Sequence, residues 1–312
     1  MLSACIIAGR LAPGLERAIA SVRPMVDEVV LVRTQEGLGD ASAGADRCEV
    51  FTDANFPADC ECGCGSKAGE LSDFSHARNR SFELARGEQV TWLDSDDVLE
   101  GDVGALRALA ERGARALGLY AYSKEQTYWL ARLVPPSERW HYPIHEFLPG
   151  IGGERCASLV WRHERSAEGN RASAARNWRL TTHHMTVHAA LYEHDARMWY
   201  YWGRAAADIG KAIMALPRLE RAYNLERWPD MKAVIAMRLA RVLPAHLSDI
   251  RREWAWRGVQ QAPRWPSAWR QLAEVYEGDE REDFLRHALS LPADDSFLVS
   301  APPAGSGAME AA

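Results

Sequence analysis

The stretch Val90-Thr91-Trp92-Leu93-Asp94-Ser95-Asp96-Asp97-Val98-Leu99 decides how this chain is read. It opens with β-branched and aromatic apolar residues, the pattern of a buried strand. It then delivers three carboxylates within four residues. Charge packed so densely at a strand tip repels itself and resists burial unless something offsets it. A hard divalent cation is the natural partner. Carboxylate oxygens suit magnesium or manganese, with phosphate oxygens completing the shell. Open α/β folds gather ligands beyond the carboxyl ends of their strands, so the stretch points to a cation–diphosphate site there. The plainer alternative is an acidic loop facing water. An EF-hand fails, because the fifth and sixth loop positions from Asp94 are Val98 and Leu99, where a ligand and a glycine are needed.

Working outward, residues 3–8 predict a first strand and 27–32 a second, with a helix over 14–22 between them. That helix has Leu15, Ala18, Ile19 and Val22 on one face and is broken by Pro24. A short third strand is expected at 48–52, after a Gly-rich loop at 37–44, and an irregular insert at 53–71. A helix over 74–85, with Ser72 or Asp73 as N-cap and Gly87 after its end, leads into the acidic strand. Then come a helix at 102–115 and strands at 118–123, 128–133, 140–148 and 158–163. This rhythm predicts an α/β domain, a mostly parallel sheet with helices on both faces.

From residue 193 the pattern turns helical. Ala205, Ala240 and Ala273 recur in similar helical segments, each followed by a second one at Ala222, Gly258 and Ala288. A period of about 34 residues with paired helices is the tetratricopeptide pattern, in which small residues let helices approach. The tryptophans of this half are expected to fill its core. A polar, loose stretch at 166–176 suggests the boundary, giving a first domain at 1–170 and an all-α domain at 171–292. The Ala-, Gly-, Pro- and Ser-rich tail, 293–312, has the composition of disorder.

Composition bounds the function. Net charge is −6 with no basic block, which argues against a protein that chiefly grips nucleic acid. No run of about 18 apolar residues exists, so no membrane span is expected. The first residues lack the flanks of a signal peptide, and a cytoplasmic protein with reduced cysteines is expected. Cys60, Cys62 and Cys64 alternate in one short segment. They offer thiolates for zinc or another soft metal but lack a fourth ligand and the usual C-x-x-C spacing; a mobile Gly-rich loop is the alternative.

Three segments form a composite: Phe74-Ser75-His76-Ala77-Arg78-Asn79-Arg80, then Ala85-Arg86-Gly87-Glu88, then Trp92-Leu93-Asp94-Ser95-Asp96-Asp97. The composite resembles family 2 glycosyltransferases of the GT-A fold, a Rossmann-like architecture, in particular members carrying a tetratricopeptide region. Residues 27–32 look like that family's second strand, and Ile144-His145-Glu146 like its His-Glu element. The resemblance implies a nucleoside-diphosphate sugar donor, with a UDP-sugar expected, bound with manganese or magnesium. It implies cofactor contacts from Arg78, Asn79, Asp94, Ser95, Thr34 and Arg33, and metal contacts from Asp94, Asp96 and His163. Glu146 becomes the candidate general base, with Asp97 the alternative. From physics alone, the fork of Arg78 suits a donor phosphate or a carboxylate of the site, and a helix-surface ion pair is its plain alternative.

The chain departs from the family at Ala8-Gly9-Arg10-Leu11, where Lys-Asn-Glu is usual, and at Val32-Arg33-Thr34, where an aspartate normally helps hold the nucleoside. Arginine there reverses the charge and leaves the base of the nucleotide open. The function expected is metal-dependent, inverting transfer of a sugar to a hydroxyl acceptor, which is a glycan, a protein or a modified nucleic-acid base. The alternatives are a nucleotidyltransferase of similar fold and an inert scaffold whose repeats bind a protein partner or a second copy of the chain.

Overall fold

The computed structural model describes residues 1–9, 14–34, 42–56, 62–66, 68–121, 127–149, 152–163 and 167–292. Arg10, Leu11, Cys60 and the tail at 293–312 lie outside the described residues, as does most of the loop at 37–44. The chain divides into two compact units. One is built on residues 1–61 and 65–170, the other on Cys62–Cys64 with the helices from Arg171 onward.

The first unit is a mixed α/β structure. Its strands are β1 (Leu2–Ala8), β2 (Glu28–Arg33), β3 (Arg47–Val50), β4 (Gln89–Asp94), β5 (Asp97–Gly101), β6 (Ala116–Ala121), β7 (Thr127–Val134) and β8 (Glu154–His163). Its helices are α1 (Leu15–Val22), α2 (Phe74–Leu84) and α3 (Val103–Glu111). The strands form one sheet in the order β3-β2-β1-β4-β7-β6-β8-β5. Pairings among β3, β2, β1 and β4 are parallel, as is β6 with β8; β4–β7, β6–β7 and β5–β8 are antiparallel.

Alternation along β1 explains why helices cover both faces. Leu2, Ala4, Ile6 and Ala8 pack with Leu15, Ile19 and Val22 of α1. The intervening Cys5 packs with Phe82 of α2, and Ile7 with Ala77 of the same helix. The chain leaves β1 towards β2 by way of α1 and returns to the other side of β1 by way of α2. The strand order therefore reverses between β1 and β4, where the register sets Ile7 beside Asp94. Asp73 caps α2, accepting from the backbone N–H groups of Ser75 and His76 at 2.8 and 3.2 Å.

One strand was not anticipated and one expectation is corrected. β4 stops at Asp94, Ser95 and Asp96 turn, and a further strand, β5, begins at Asp97 and pairs with β8 at the far end of the strand order. Ser and Asp favour such turns because their side chains compete for local backbone groups. Residues 140–148, expected to be a strand, are not one. They form an irregular loop closed by a bridge between His141 and Phe147. Pro143 lacks the N–H a ladder needs, and Tyr142 and His145 sit at φ +73° and +50°.

The second unit is helical: α4 (Ala167–Val187), α5 (Ala189–Tyr192), α6 (Ala196–Asp208), α7 (Ala212–Leu225), α8 (Pro229–Val242), α9 (Ser248–Gln261), α10 (Pro266–Ala273) and α11 (Gly278–Ser290). The stretch expected to be loose is helical from Ala167 onward. Short loops join α6 to α7, α8 to α9 and α10 to α11, and each pair packs together. Ala205, Ala240 and Ala273 are buried at these contacts, as are Ala222, Gly258 and Ala288. A Cβ on Gly203 would stand 2.8 Å from Leu219 Cγ, so α6 and α7 meet too closely for a side chain there. Of the tryptophans expected in this core, Trp254 is buried within it, and Trp199, Trp256, Trp265 and Trp269 are partly buried and pack against it. No described helix is long and apolar enough to cross a membrane.

Candidate active site

Asp94 closes β4 at the reversal point, and three charged groups meet there. Arg78, one turn into α2, donates from Nη2 to Asp94 Oδ1 and from Nε to Glu146 Oε1, both at 2.5 Å. Its guanidinium lies 4.8 Å from the ring centres of both Trp92 and Trp140, an arrangement that removes water and strengthens both ion pairs. Burial works to lower the Arg78 guanidinium, and Asp94 and Glu146 together outweigh it and raise it. Burial likewise works to raise the Asp94 carboxyl, but Arg78 prevails and the group settles at about 2, against an ordinary 3.8.

Glu146 reaches Arg78 from the irregular loop. The amide of Asn79 fixes that loop: Trp140 N–H donates to Oδ1 at 2.8 Å, and Nδ2 donates to Trp140 carbonyl at 3.0 Å. Two non-glycine residues in left-handed conformation, Tyr142 and His145, precede Glu146, a local cost that the bridge and the Asn79 contacts sustain. Asn79, expected at the cofactor, is thus engaged with the backbone of Trp140.

A second cluster forms past the turn. One donor atom from each of Asp96, Asp97 and His163 falls within 4.8 Å of the others. His163 Nδ1 lies 2.9 Å from Asp97 Oδ1 and 3.7 Å from Asp96 Oδ1. Asp97 is fully buried. Its Oδ2 accepts from Arg132 Nη2 at 3.4 Å and from the Asp94 N–H at 3.2 Å. Asp96 is more open, its side chain 30% exposed. The sequence expectation grouped Asp94, Asp96 and His163 as ligands. The donor atoms that converge belong to Asp96, Asp97 and His163, while Asp94 is held by Arg78. The alternative role of Asp97 as base meets the same geometry: a carboxylate sealed from solvent between Arg132 and His163 is poorly placed to take an acceptor's proton.

Two carboxylates and an imidazole form an oxygen-rich set that manganese accepts. The residues present therefore fit a divalent cation. Gly14, at the start of α1, abuts the turn: a Cβ there would stand 2.7 Å from the Ser95 carbonyl oxygen. Arg33 and Thr34 are buried at the carboxyl end of β2, the same end of the sheet as Asp94. Thr34 N–H donates to Ala8 carbonyl at 3.0 Å.

Sequence reasoning missed Arg132. It sits 1% exposed, 3.7 Å over the Trp92 ring and 4.8 Å from that of Tyr120, and donates to the Trp92 carbonyl at 2.8 Å. Burial, then Asp97 and Asp94, push the Tyr120 phenol well above its usual range. A lone arginine in an apolar strand, Leu130-Ala131-Arg132-Leu133-Val134, was the available signal, because such a residue is buried only with a partner. A polar hollow of about 490 Å³, lined by Glu49, Asp53, His76, Asn79, Arg80 and Arg139 among others, shares Asn79 with this site but includes none of Asp94, Asp96 and Asp97.

No family model matches the chain, and no curated protein does. Among solved structures, S. aureus TarS 1–349 in complex with UDP-GlcNAc is similar over 84% of this chain and 89% of its own, at 9% identity and a TM-score of 0.38. MamA is similar over 37% of this chain and 76% of its own, at 20% identity and a TM-score of 0.29. YrrB, a TPR protein with an unusual peptide-binding site, is similar over 42% of this chain and 75% of its own, at 16% identity and a TM-score of 0.29. These likenesses are too loose to fix a family.

Proposed function

We propose that the chain is a metal-dependent, inverting glycosyltransferase of the GT-A type, family 2, moving a sugar from a nucleoside-diphosphate donor to a hydroxyl acceptor. The observation that carries this reading is the meeting of Asp94, Glu146 and Arg78 with the Asp96–Asp97–His163 cluster at the point where the strand order reverses. Asp96 and His163 hold the cation, with Asp97 as the third donor. When bound, the cation offsets charge on the departing diphosphate. Arg78 orients Glu146 and Asp94 towards one another across the site. Arg33, Thr34 and Ser95 contribute to the donor pocket.

The acceptor hydroxyl attacks the anomeric carbon, and its proton passes to the second oxygen of Glu146, the one not bonded to Arg78. The new C–O bond forms as the bond to the diphosphate breaks, and the electron pair leaves with the diphosphate. One displacement inverts the centre, so no covalent intermediate is required. The helical unit serves the acceptor or a partner, a role suited to stacked helix pairs.

The test is a panel of nucleotide sugars with manganese, reading free nucleoside diphosphate. Activity is expected with at least one donor, and chelation or Asp96→Ala abolishes it. Turnover that survives both treatments overturns the mechanism, and full activity in Glu146→Gln moves the base elsewhere.

A further inference from the structure

The second unit brings together three metal-binding side chains that the proposed transfer does not use. Cys62 Sγ lies 3.3 Å from His183 Nδ1 on α4, and the donor atoms of Cys62, Cys64 and His183 all fall within 4.8 Å of one another. His183 is 8% exposed and Cys64 4%. Neither cysteine is in a disulfide. In extended backbone, residues two apart share a face only while the strand stays regular. Here Gly63, between the two cysteines, adopts φ +70°, and Gly65 after them φ +77°. A Cβ on Gly63 would meet nothing within 4 Å, so glycine is required there for its conformation and not for space. The segment is folded into a tight turn that directs two thiols at one imidazole. His184 packs edge-on against the His183 ring at 5.2 Å between centroids, which fixes its orientation.

The Cys62 Sγ to His183 Nδ1 spacing is that of ligands around a shared ion, and Cys64 Sγ lies within 4.8 Å of both. Donors about 2.0–2.3 Å from a tetrahedral centre stand roughly 3.3–3.8 Å apart. Two thiolates and an imidazole form a soft set that selects zinc over magnesium or calcium. We propose that Cys62, Cys64 and His183 bind a zinc ion that fastens the 62–64 segment to α4. Binding takes up Zn²⁺ and releases two thiol protons to solvent, with no change of oxidation state. A tetrahedral ion takes a fourth donor, which a water molecule can supply. This site is independent of the transferase reading, and neither fails with the other.

The test uses the full chain, dialysed against metal-free buffer and analysed by mass spectrometry for metal content. About one zinc per chain is expected, falling to roughly a tenth of that in the Cys62→Ser, Cys64→Ser double variant. Because that variant risks misfolding, the unaltered chain is also stripped and titrated with cobalt. A thiolate-to-cobalt charge-transfer band that saturates at about one equivalent and is displaced by zinc supports the site; the oxygen-rich cluster around Asp96 gives no such band. Cobalt bound without that band, zinc retained equally by the double variant, or a Cys62–Cys64 disulfide in the native chain overturns it.

Discussion

His163 Nδ1 lies 2.9 Å from Asp97 Oδ1, and the two residues are register partners across the antiparallel pair of β5 and β8. The contact is set by backbone pairing and not by a flexible side-chain search, so Asp97 is fixed from both sides, by His163 and by Arg132. Asp97→Asn leaves a buried arginine without its counter-charge, and a loss of about 3 kcal/mol is expected in urea denaturation of the metal-free protein. Asp96→Asn, at a more open position on the turn, is expected to change that stability by less than about 0.5 kcal/mol while removing turnover.

Arg78 answers two carboxylates at once. Arg78→Ala is expected to cost about 3–5 kcal/mol, because Asp94 and Glu146 are then left close together with no cation between them. Adding Glu146→Gln to that variant removes one of the stranded charges. The double variant should therefore be more stable than the sum of the two single losses, by about 1 kcal/mol or more in a double-mutant cycle.

Acid stability carries a signature of Asp27. Its carboxylate accepts from the Leu2 N–H at 2.8 Å and from Arg107 at 2.9 Å, and these contacts hold it below its ordinary 3.8. A depressed folded-state carboxyl stabilises above its unfolded pKa, and the contribution disappears as pH falls through the folded value. Asp27→Asn is therefore expected to destabilise at pH 7 and to converge with the unaltered chain as pH drops below about 4, read by denaturation at a series of pH values. The side chain is part exposed, so added salt should narrow the gap.

Gly14 tests the seating of the acidic turn. In Gly14→Ala the new Cβ must displace the Ser95 carbonyl, which would otherwise stand 2.7 Å away. Stability is expected to fall by about 1–3 kcal/mol. Turnover falls further, by about 10²-fold, because a small displacement of catalytic groups is amplified in rate. An activity loss no larger than the stability loss explains would detach this turn from the chemistry.

Much of this architecture is legible from residues close together in sequence. Short apolar runs mark β1 and β2, Asp73 marks the start of α2, and the alanine period marks the helix pairs. What escapes depends on distant partners. Nothing local distinguishes the end of β4 from the start of β5, because the ladder that makes Val98 and Leu99 a separate strand comes from β8. The strand expected at 140–148 has suitable residues, but Pro143 and the engagement of Trp140 by Asn79 impose a loop. Arg132 reads as an outlier in an apolar run until Asp97 and the Trp92 ring appear beside it. Among the described residues, Cys62 and Cys64 meet a third donor only when His183, 121 positions after Cys62, is brought to them.

Only Ser95 and Asp96 separate β4 from β5, yet β5 finds its neighbour in β8. During synthesis the aspartates emerge well before the residues that restrain them, since His163 follows Asp97 by 66 positions. Loop closure over that distance must precede any assembled cation cradle. A ribosome-bound chain halted short of β8 would thus carry the acidic sequence while lacking the pocket, and metal affinity at this cluster would report completion of the whole sheet.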